Sequence, residues 1–175
     1  MTAIEFKGEH MPEQLTNCCK DSVVGIFNSI FGAEPVLHEN GENEKVGDGV
    51  VGIISFMGDV TWLLMLVLPR ASAQSIAYKF TNFEVPYDSP DMGDVVGELS
   101  NVLAGDIVAR LSSQGVKVAM SLPTIMRGHD VEPLLPRGLP STKMRYSIPA
   151  IPDGTIYLKI AGAKPGQTVG RRPGT

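Results

Sequence analysis

Apolar residues recur at intervals of three and four along three segments of the chain, which is the spacing of one face of a helix. The first segment runs over residues 12–31 and is followed by Gly32, a residue that favours helix ends. The second covers residues 71–80, and the third runs from residue 90 to about residue 114, just before Gly115. The pattern therefore predicts three helices, of which the first and third are long.

Apolar runs bounded by turn residues indicate strands between and after these helices. Residues 50–58 and 61–69 meet at Gly58-Asp59, and this arrangement is typical of a β-hairpin. Later strands are predicted within three apolar segments, at residues 116–123, 144–150 and 155–162. Because a long helix followed by a hairpin occurs twice, we expect an α+β fold in which both long helices pack on a largely antiparallel sheet.

Composition restricts the function more than it identifies it. The 175 residues are 43% hydrophobic and 19% charged with a net charge of -4, which is typical of one globular domain and does not favour nucleic-acid binding. The longest apolar run, residues 60–68, is too short to cross a bilayer, and the N-terminal residues lack a signal-peptide core. We therefore expect a cytoplasmic protein without a membrane anchor, with adjacent Cys18 and Cys19 as free thiols.

The third helix carries a stripe of short polar residues. At 100° per residue, its members Asp94, Glu98 and Asn101 lie within about 60° of one another. Ser89 is expected to cap the start of this helix with its side chain, and Pro90 has the backbone angle of a first turn. The side away from the stripe is predicted to pack on the sheet, and it comprises Met92, Val95, Val96, Leu99, Val102 and Leu103.

Small residues flank this stripe at Gly97, Ala104 and Gly105. Glycine inside a helix costs roughly 0.5–1 kcal/mol relative to alanine, so the small side chains require a reason. They could allow another protein to approach the stripe closely. They could equally allow close packing against a neighbouring helix, with the stripe as an ordinary solvated face, and residue types alone favour this second interpretation.

The first long helix has a related but incomplete pattern. Asp21, Gly25 and Asn28 have the same spacing as the three residues of the stripe, and only glycine replaces the glutamate. The match is compatible with an internal duplication and equally with chance. His10, His38 and His129 lie among loop signals without paired ligand spacing, so they are expected to be surface residues and not metal ligands.

The segment DVVGELSNVLAGDIVARLSSQG, followed by VAMSLPTIMRG, resembles the CheC, CheX and FliY family of chemotaxis phosphatases, and CheX most closely. The family motif is Asp or Ser, three residues, Glu, two residues, Asn, and a later proline, here Asp94, Glu98, Asn101 and Pro123. The resemblance covers roughly residues 10–161. It implies a CheC-like fold of two pseudo-duplicated helix-and-hairpin units, in one domain over residues 1–161, with a flexible tail at residues 162–175.

The resemblance implies a phosphatase that hydrolyses the aspartyl phosphate of a CheY-type response regulator. Asn101 would hold the attacking water, and Glu98 would dock on the lysine of the receiver. Asp94 has a simpler explanation as a carboxylate near a helix N-terminus. Gly25 departs from the glutamate that CheC carries on its first helix, and this implies one active site per chain.

The same resemblance implies no cofactor and no metal of the protein's own, because Mg²⁺ is supplied in the site of the partner receiver. It also implies a homodimer formed through strand contacts, for which the segments after Pro123 offer an edge. The alternative is a non-catalytic receiver-binding or scaffold module of the same fold.

Overall fold

Three helices form within the part of the chain that a computed structural model describes, namely residues 4, 6, 9–38, 45–132, 135 and 138–162. They are α1 (Glu13–Phe31), α2 (Arg70–Thr81) and α3 (Pro90–Ser113). Helix α1 ends at Gly32, whose φ of +69° is a left-handed conformation that glycine adopts without strain. The periodicity therefore located all three helices to within one or two residues.

The strands of the described residues form a single sheet in which every pairing is antiparallel. The central strands belong to the predicted hairpin, at residues 48–69, and to the last hairpin, at residues 141–162. In chain order the strands are β1 (Val36–His38), β2 (Asp48–Gly58), β3 (Trp62–Pro69), β4 (Val118–Met120), β5 (Thr124–His129), β6 (Ser141–Ser147) and β7 (Thr155–Gly162).

The strand order shows two interlocked units of one helix followed by strands. The order is β1-β6-β7-β3-β2, and both β4 and β5 then pair with β2. Each unit contributes strands to the hairpin of the other, since β1 pairs with β6 and both β4 and β5 pair with β2. Strands β3 and β7 pair at the centre. This α+β arrangement confirms the predicted pair of helix-and-hairpin units.

The core lies between the helices and one face of the sheet. Alternate residues of the central hairpin point to this side, and among them Phe56 and Trp62 stack with ring centroids 4.1 Å apart and planes 7° apart. Phe27 of α1 and Leu103 of α3 belong to the same buried cluster. Both long helices are therefore held by burial of their apolar sides, as their periodicity predicted.

Two strands were not predicted. Strand β1 has only three residues, and its partner β6 lies more than one hundred positions away in the sequence. No local pattern therefore predicts it. Strand β5 begins directly after Pro123, where the apolar pattern predicts no separate strand. Gly162 is the last residue of β7 and not the start of a tail, and the remaining predicted tail, residues 163–175, lies outside the described residues.

Candidate functional site

The polar stripe lies on the outer side of α3. Asp94 and Glu98 are exposed and Asn101 is partly buried. Within the described residues, neither the Glu98 carboxylate nor the Asn101 carboxamide makes a hydrogen bond or an ion pair with the rest of the chain. The two functional groups are thus presented on one helix face without an internal partner.

The opposite side of α3 packs tightly on the sheet. Ser100, which directly precedes Asn101, is 1% exposed, and its hydroxyl donates to the carbonyl of Val96 at 2.7 Å. Opposite it on β2 lies Gly52, where a β-carbon would come within 3.0 Å of the Ser100 β-carbon. Only the absence of a side chain at Gly52 allows this approach. Val102, predicted to be in the core, is only partly buried because it lies at the border of the apolar side.

The small residues beside the stripe do not all serve the same purpose. Gly97 is buried, and the space above it is occupied by Pro123 and Ile125 of the same chain, which corrects the interpretation that it leaves room for a partner. Ala104 is also buried. Gly105 differs, because nothing in the described residues lies within 4 Å of a β-carbon placed there. One turn beyond Asn101, the helix face is therefore bare.

Pro123 lies in a β-bulge between β4 and β5. Phe56 of β2 pairs with Met120 and Ile53 pairs with Thr124, so three residues of the edge strand face two of β2. Such an extra residue bends an edge strand and redirects its side chains. The motif proline is consequently placed against α3 beside Gly97.

The start of α3 is held by charged groups from two other elements. Asp88 lies 3.7 Å from Arg70 and 3.8 Å from Arg127, and both guanidinium groups lie over the ring of Tyr87. Arg127 also donates to the Ser89 carbonyl at 2.9 Å. The prediction that the Ser89 side chain caps the helix was wrong, because its hydroxyl donates instead to the carbonyl of Pro86.

The related face of α1 is altered by a neighbour on α3. Asp21, Gly25 and Asn28 are all exposed. A β-carbon at Gly25 would lie 3.1 Å from a terminal nitrogen of Arg110, which itself pairs with Asp106 at 2.6 Å. A glutamate at this position would meet the guanidinium of its own chain before any partner, so Gly25 is not simply a missing half of a second stripe.

The histidines lie apart from the stripe. His10 is exposed, whereas His38 is on β1 within 2.8 Å of the Ser147 hydroxyl, and His129 ends β5 within 2.8 Å of Asp48, so two of the three belong to strands and not to loops. Among the described residues, no group of three His, Cys, Asp or Glu side chains could hold a metal ion. The absence of a metal site in the protein stays a prediction.

Cys18 and Cys19 are free thiols on the buried side of α1, as predicted. Burial raises the pKa of both thiols, and the hydrogen bond that Gln114 donates to Cys18 at 3.2 Å only partly opposes this effect. Thiolates are the reactive form, so neither residue resembles a nucleophile.

The stripe is a helix face on which Asp94 and Glu98 are exposed. A recess of about 720 Å³ elsewhere is lined by α2, residues 84–86 and residues 150–152, with no residue of α3. An exposed helix face with projecting polar side chains suits a macromolecular ligand better than a small molecule, which binds in concave sites. None of the helices within the described ranges combines the length and apolar character needed to span a membrane.

The fold places the chain in a class of α+β proteins with two helix-and-hairpin units, with Glu98 exposed and Asn101 partly buried on one face of α3. Residues 50–151 match the family model described as chemotaxis phosphatase CheX. Because this match spans more than half of the chain, the chain belongs to the CheX family. A search of curated proteins finds no significant match.

Solved structures show the same fold. The CheX protein of Vibrio vulnificus is 16% identical with a TM-score of 0.72, and the alignment covers 85% of this chain and 98% of that one. A CheC-like protein of Shewanella sp. PV-4 is 21% identical with a TM-score of 0.64, at coverages of 86% and 98%. CheX of Borrelia burgdorferi, solved as a complex with CheY, BeF₃ and Mg²⁺, is 19% identical with a TM-score of 0.63, at coverages of 84% and 96%.

Proposed function

We propose that this protein is a phosphatase that hydrolyses the aspartyl phosphate of a CheY-type response regulator in chemotaxis signalling. The observation that carries the proposal is the pair Glu98 and Asn101, three residues apart on one face of a tightly packed helix and without partners among the described residues. Membership of the CheX family supports the reaction, and the Borrelia relative solved with CheY supports the kind of partner.

Asn101 acts on the water. An aspartyl phosphate is a mixed anhydride with a good leaving group, so the enzyme has little covalent chemistry to supply and mainly positions the nucleophile. The carboxamide oxygen of Asn101 accepts a hydrogen bond from water and holds it in line with the phosphorus. The water oxygen bonds to phosphorus while the bond between phosphorus and the aspartyl oxygen breaks. The products are the aspartate carboxylate and inorganic phosphate, which carries the protons of the water.

Glu98 acts on the receiver and not on the phosphoryl group. Its carboxylate would be repelled by phosphoryl oxygens, whereas it forms a charge-assisted hydrogen bond with a lysine beside the phosphorylation site of the receiver. Such a bond sets the register of α3 on the partner. Mg²⁺ belongs to the receiver in this reaction, and the phosphatase contributes no cofactor.

Phosphate release from a purified CheY-type receiver, phosphorylated with acetyl phosphate, tests the proposal. The phosphatase is added at one hundredth of the receiver concentration. Multiple turnovers are expected. Acceleration limited to one receiver per added chain would instead support a non-catalytic binding module, and absence of both acceleration and binding across the receivers of the same organism would contradict the proposal.

We also propose that this protein is cytoplasmic and forms a homodimer. Of the strands that follow Pro123, β5 lies at the edge of the sheet, whereas β6 and β7 are paired on both sides. Edge strands carry unpaired backbone groups that can pair with a second copy. Light scattering at micromolar concentration should give twice the chain mass of 18.8 kDa, and a monomer would exclude the dimer under these conditions.

A further inference from the structure

Leu122 is an apolar side chain held out from the protein surface. It is 85% exposed, more than any other large hydrophobic residue among those described. A single exposed leucine is ordinary and requires no function by itself. Its place in the β-bulge between β4 and β5 is what distinguishes it.

The bulge is fixed by hydrogen bonds. The amide of Ser121 donates to the carbonyl of Ser55 at 2.9 Å, and the amide of Ser55 donates to the Ser121 hydroxyl oxygen at 3.0 Å. The same hydroxyl donates to the Leu122 carbonyl at 2.9 Å. Both backbone groups of Ser55, the Ser121 amide and the Leu122 carbonyl are thus hydrogen-bonded, and these bonds hold the backbone on either side of the leucine.

The bulge also rests on α3. Pro123, the next residue, has its Cγ atom 3.9 Å from the position of a β-carbon at Gly97, and Gly97 directly precedes Glu98. Leu122 is therefore one residue away from a side chain that packs against α3 directly before Glu98. A partner that covers Glu98 and Asn101 and extends over Pro123 would meet the leucine as well.

We infer that Leu122 is the apolar anchor of the surface that docks the phosphorylated receiver, and this inference rests on the proposed function. The helix side of the surface is acidic, because Asp91, Asp94 and Glu98 are all exposed. The complementary partner presents cationic groups to the helix and a shallow apolar recess to the bulge. The residues that carry most of the binding energy of an interface lie in well-packed pockets from which water is excluded, and Leu122 would occupy such a pocket of the partner.

Leu122 contributes to binding and not to the chemical step, because it carries no group that could act on water or phosphate. Replacing it with alanine should raise both KM and the dissociation constant of a beryllofluoride-loaded receiver on the order of tenfold or more, as expected for losing a buried leucine side chain. The kcat at saturating receiver should remain within about twofold of wild type.

Leu122→Ala, Leu122→Met and Phe83→Ala test the inference by steady-state phosphate release and receiver binding. Leu122→Met conserves the volume and should bind like wild type. Phe83 is 58% exposed in the loop after α2, so Phe83→Ala is the matched control and should change nothing.

An active wild type combined with an unchanged KM for Leu122→Ala would overturn the inference while leaving the proposed function intact. A lowered kcat at unchanged affinity would overturn it too. Dissociation of a dimer by Leu122→Ala without a change in KM would assign the leucine to a second copy of this chain. A wild type that neither hydrolyses nor binds any receiver would contradict both the proposed function and the inference.

Discussion

The side chain of Ile125 on β5 occupies the space above Gly97 on α3. Its Cδ1 atom lies 3.7 Å from the position of a β-carbon at Gly97, and its Cγ2 atom lies 3.9 Å from that at Gly93. Gly93 and Gly97 thus allow the protein's own edge strand to pack closely on α3, directly before Glu98. Gly105 has no such neighbour, so its small size is left without an internal explanation.

Substitutions at Gly105 should separate fold stability from docking. Gly105→Ala should stabilise the protein by about 0.5–1 kcal/mol, because alanine has the higher helix propensity and meets no atom. Gly105→Leu should fold equally well but raise KM, since residue 105 projects between the directions of Glu98 and Asn101. Urea denaturation and phosphate release measure the two effects.

The control for this comparison is Ser112→Leu, at an exposed position in the last turn of α3, which should leave KM unchanged. A Gly105→Leu protein with a normal KM would show that the receiver does not lie over this part of the helix.

Asn101→Ala should remove most of the turnover and little of the binding. An alanine removes the carboxamide that we propose holds the water, so kcat should fall on the order of 10²-fold or more, by analogy with losing one transition-state hydrogen bond. Asn28→Ala, at the corresponding exposed position of α1, is the matched control and should retain full activity. Equal kcat values for Asn101→Ala and wild type would rule out the water-positioning role.

Substitutions at Glu98 should act mainly on affinity. Glu98→Ala should raise KM, and high receiver concentration should recover part of the rate. Glu98→Lys should be worse, because it would face the lysine of the receiver with a like charge. Asp94→Ala serves as the comparison one turn earlier, where a smaller effect is expected. A Glu98→Ala protein that loses kcat at unchanged KM would place the glutamate in the chemistry instead of the docking.

The parts of the fold that could be predicted depend on local patterns. The helices follow from apolar periodicity and from Gly32 and Gly115, both of which have positive φ in the structure. The central hairpin follows from its two apolar runs around Gly58-Asp59. Strand β1 could not be found in this way, because its three residues pair with β6 and the stabilising contacts come from elsewhere in the chain.

In the candidate site, too, some features follow from the local sequence and others depend on residues far away in the chain. Helical geometry placed Glu98 and Asn101 on one face. It could not show that Gly97 is covered by Pro123 and Ile125, because the bulge that brings them there arises from the pairing of two short segments with β2. The common face of Glu98 and Asn101 could be predicted from their spacing, whereas the surface around them depends on strand pairing in the sheet.

The ion pair at the end of β5 predicts a pH-dependent contribution to stability. The hydrogen bond with Asp48, and then the charge of Asp130, raise the pKa of His129. The folded state therefore favours the imidazolium: the contribution is fully present below the unfolded pKa of about 6.5 and is lost as pH rises through the folded value. Because His129 is exposed, the effect should be small.

Urea denaturation of wild type and His129→Gln, at about pH 5.5 and about pH 8.5, measures this contribution. The wild type should exceed the variant by more at the lower pH, and Asp48→Asn should reduce the same difference, because Asp130 remains beside the imidazole. A gap between wild type and His129→Gln that widens at the higher pH would contradict the assignment.

The contact between Gly52 and Ser100 should control both stability and the position of α3. An alanine at residue 52 would place its β-carbon 3.0 Å from that of Ser100 and closer still to the hydroxyl, so the helix must move away from β2 or the side chains must distort. Overpacking of this kind costs typically 1–3 kcal/mol. Gly52→Ala should therefore lower the free energy of unfolding by about that amount in urea denaturation.

In the double variant Gly52→Ala/Ser100→Gly, removal of the serine side chain relieves the clash, although a glycine within the helix itself costs about 1 kcal/mol. The two substitutions should consequently be less destabilising together than the sum of their separate effects, because they share one contact. Strict additivity in this cycle would show that the close approach of α3 to β2 is not what glycine at residue 52 permits.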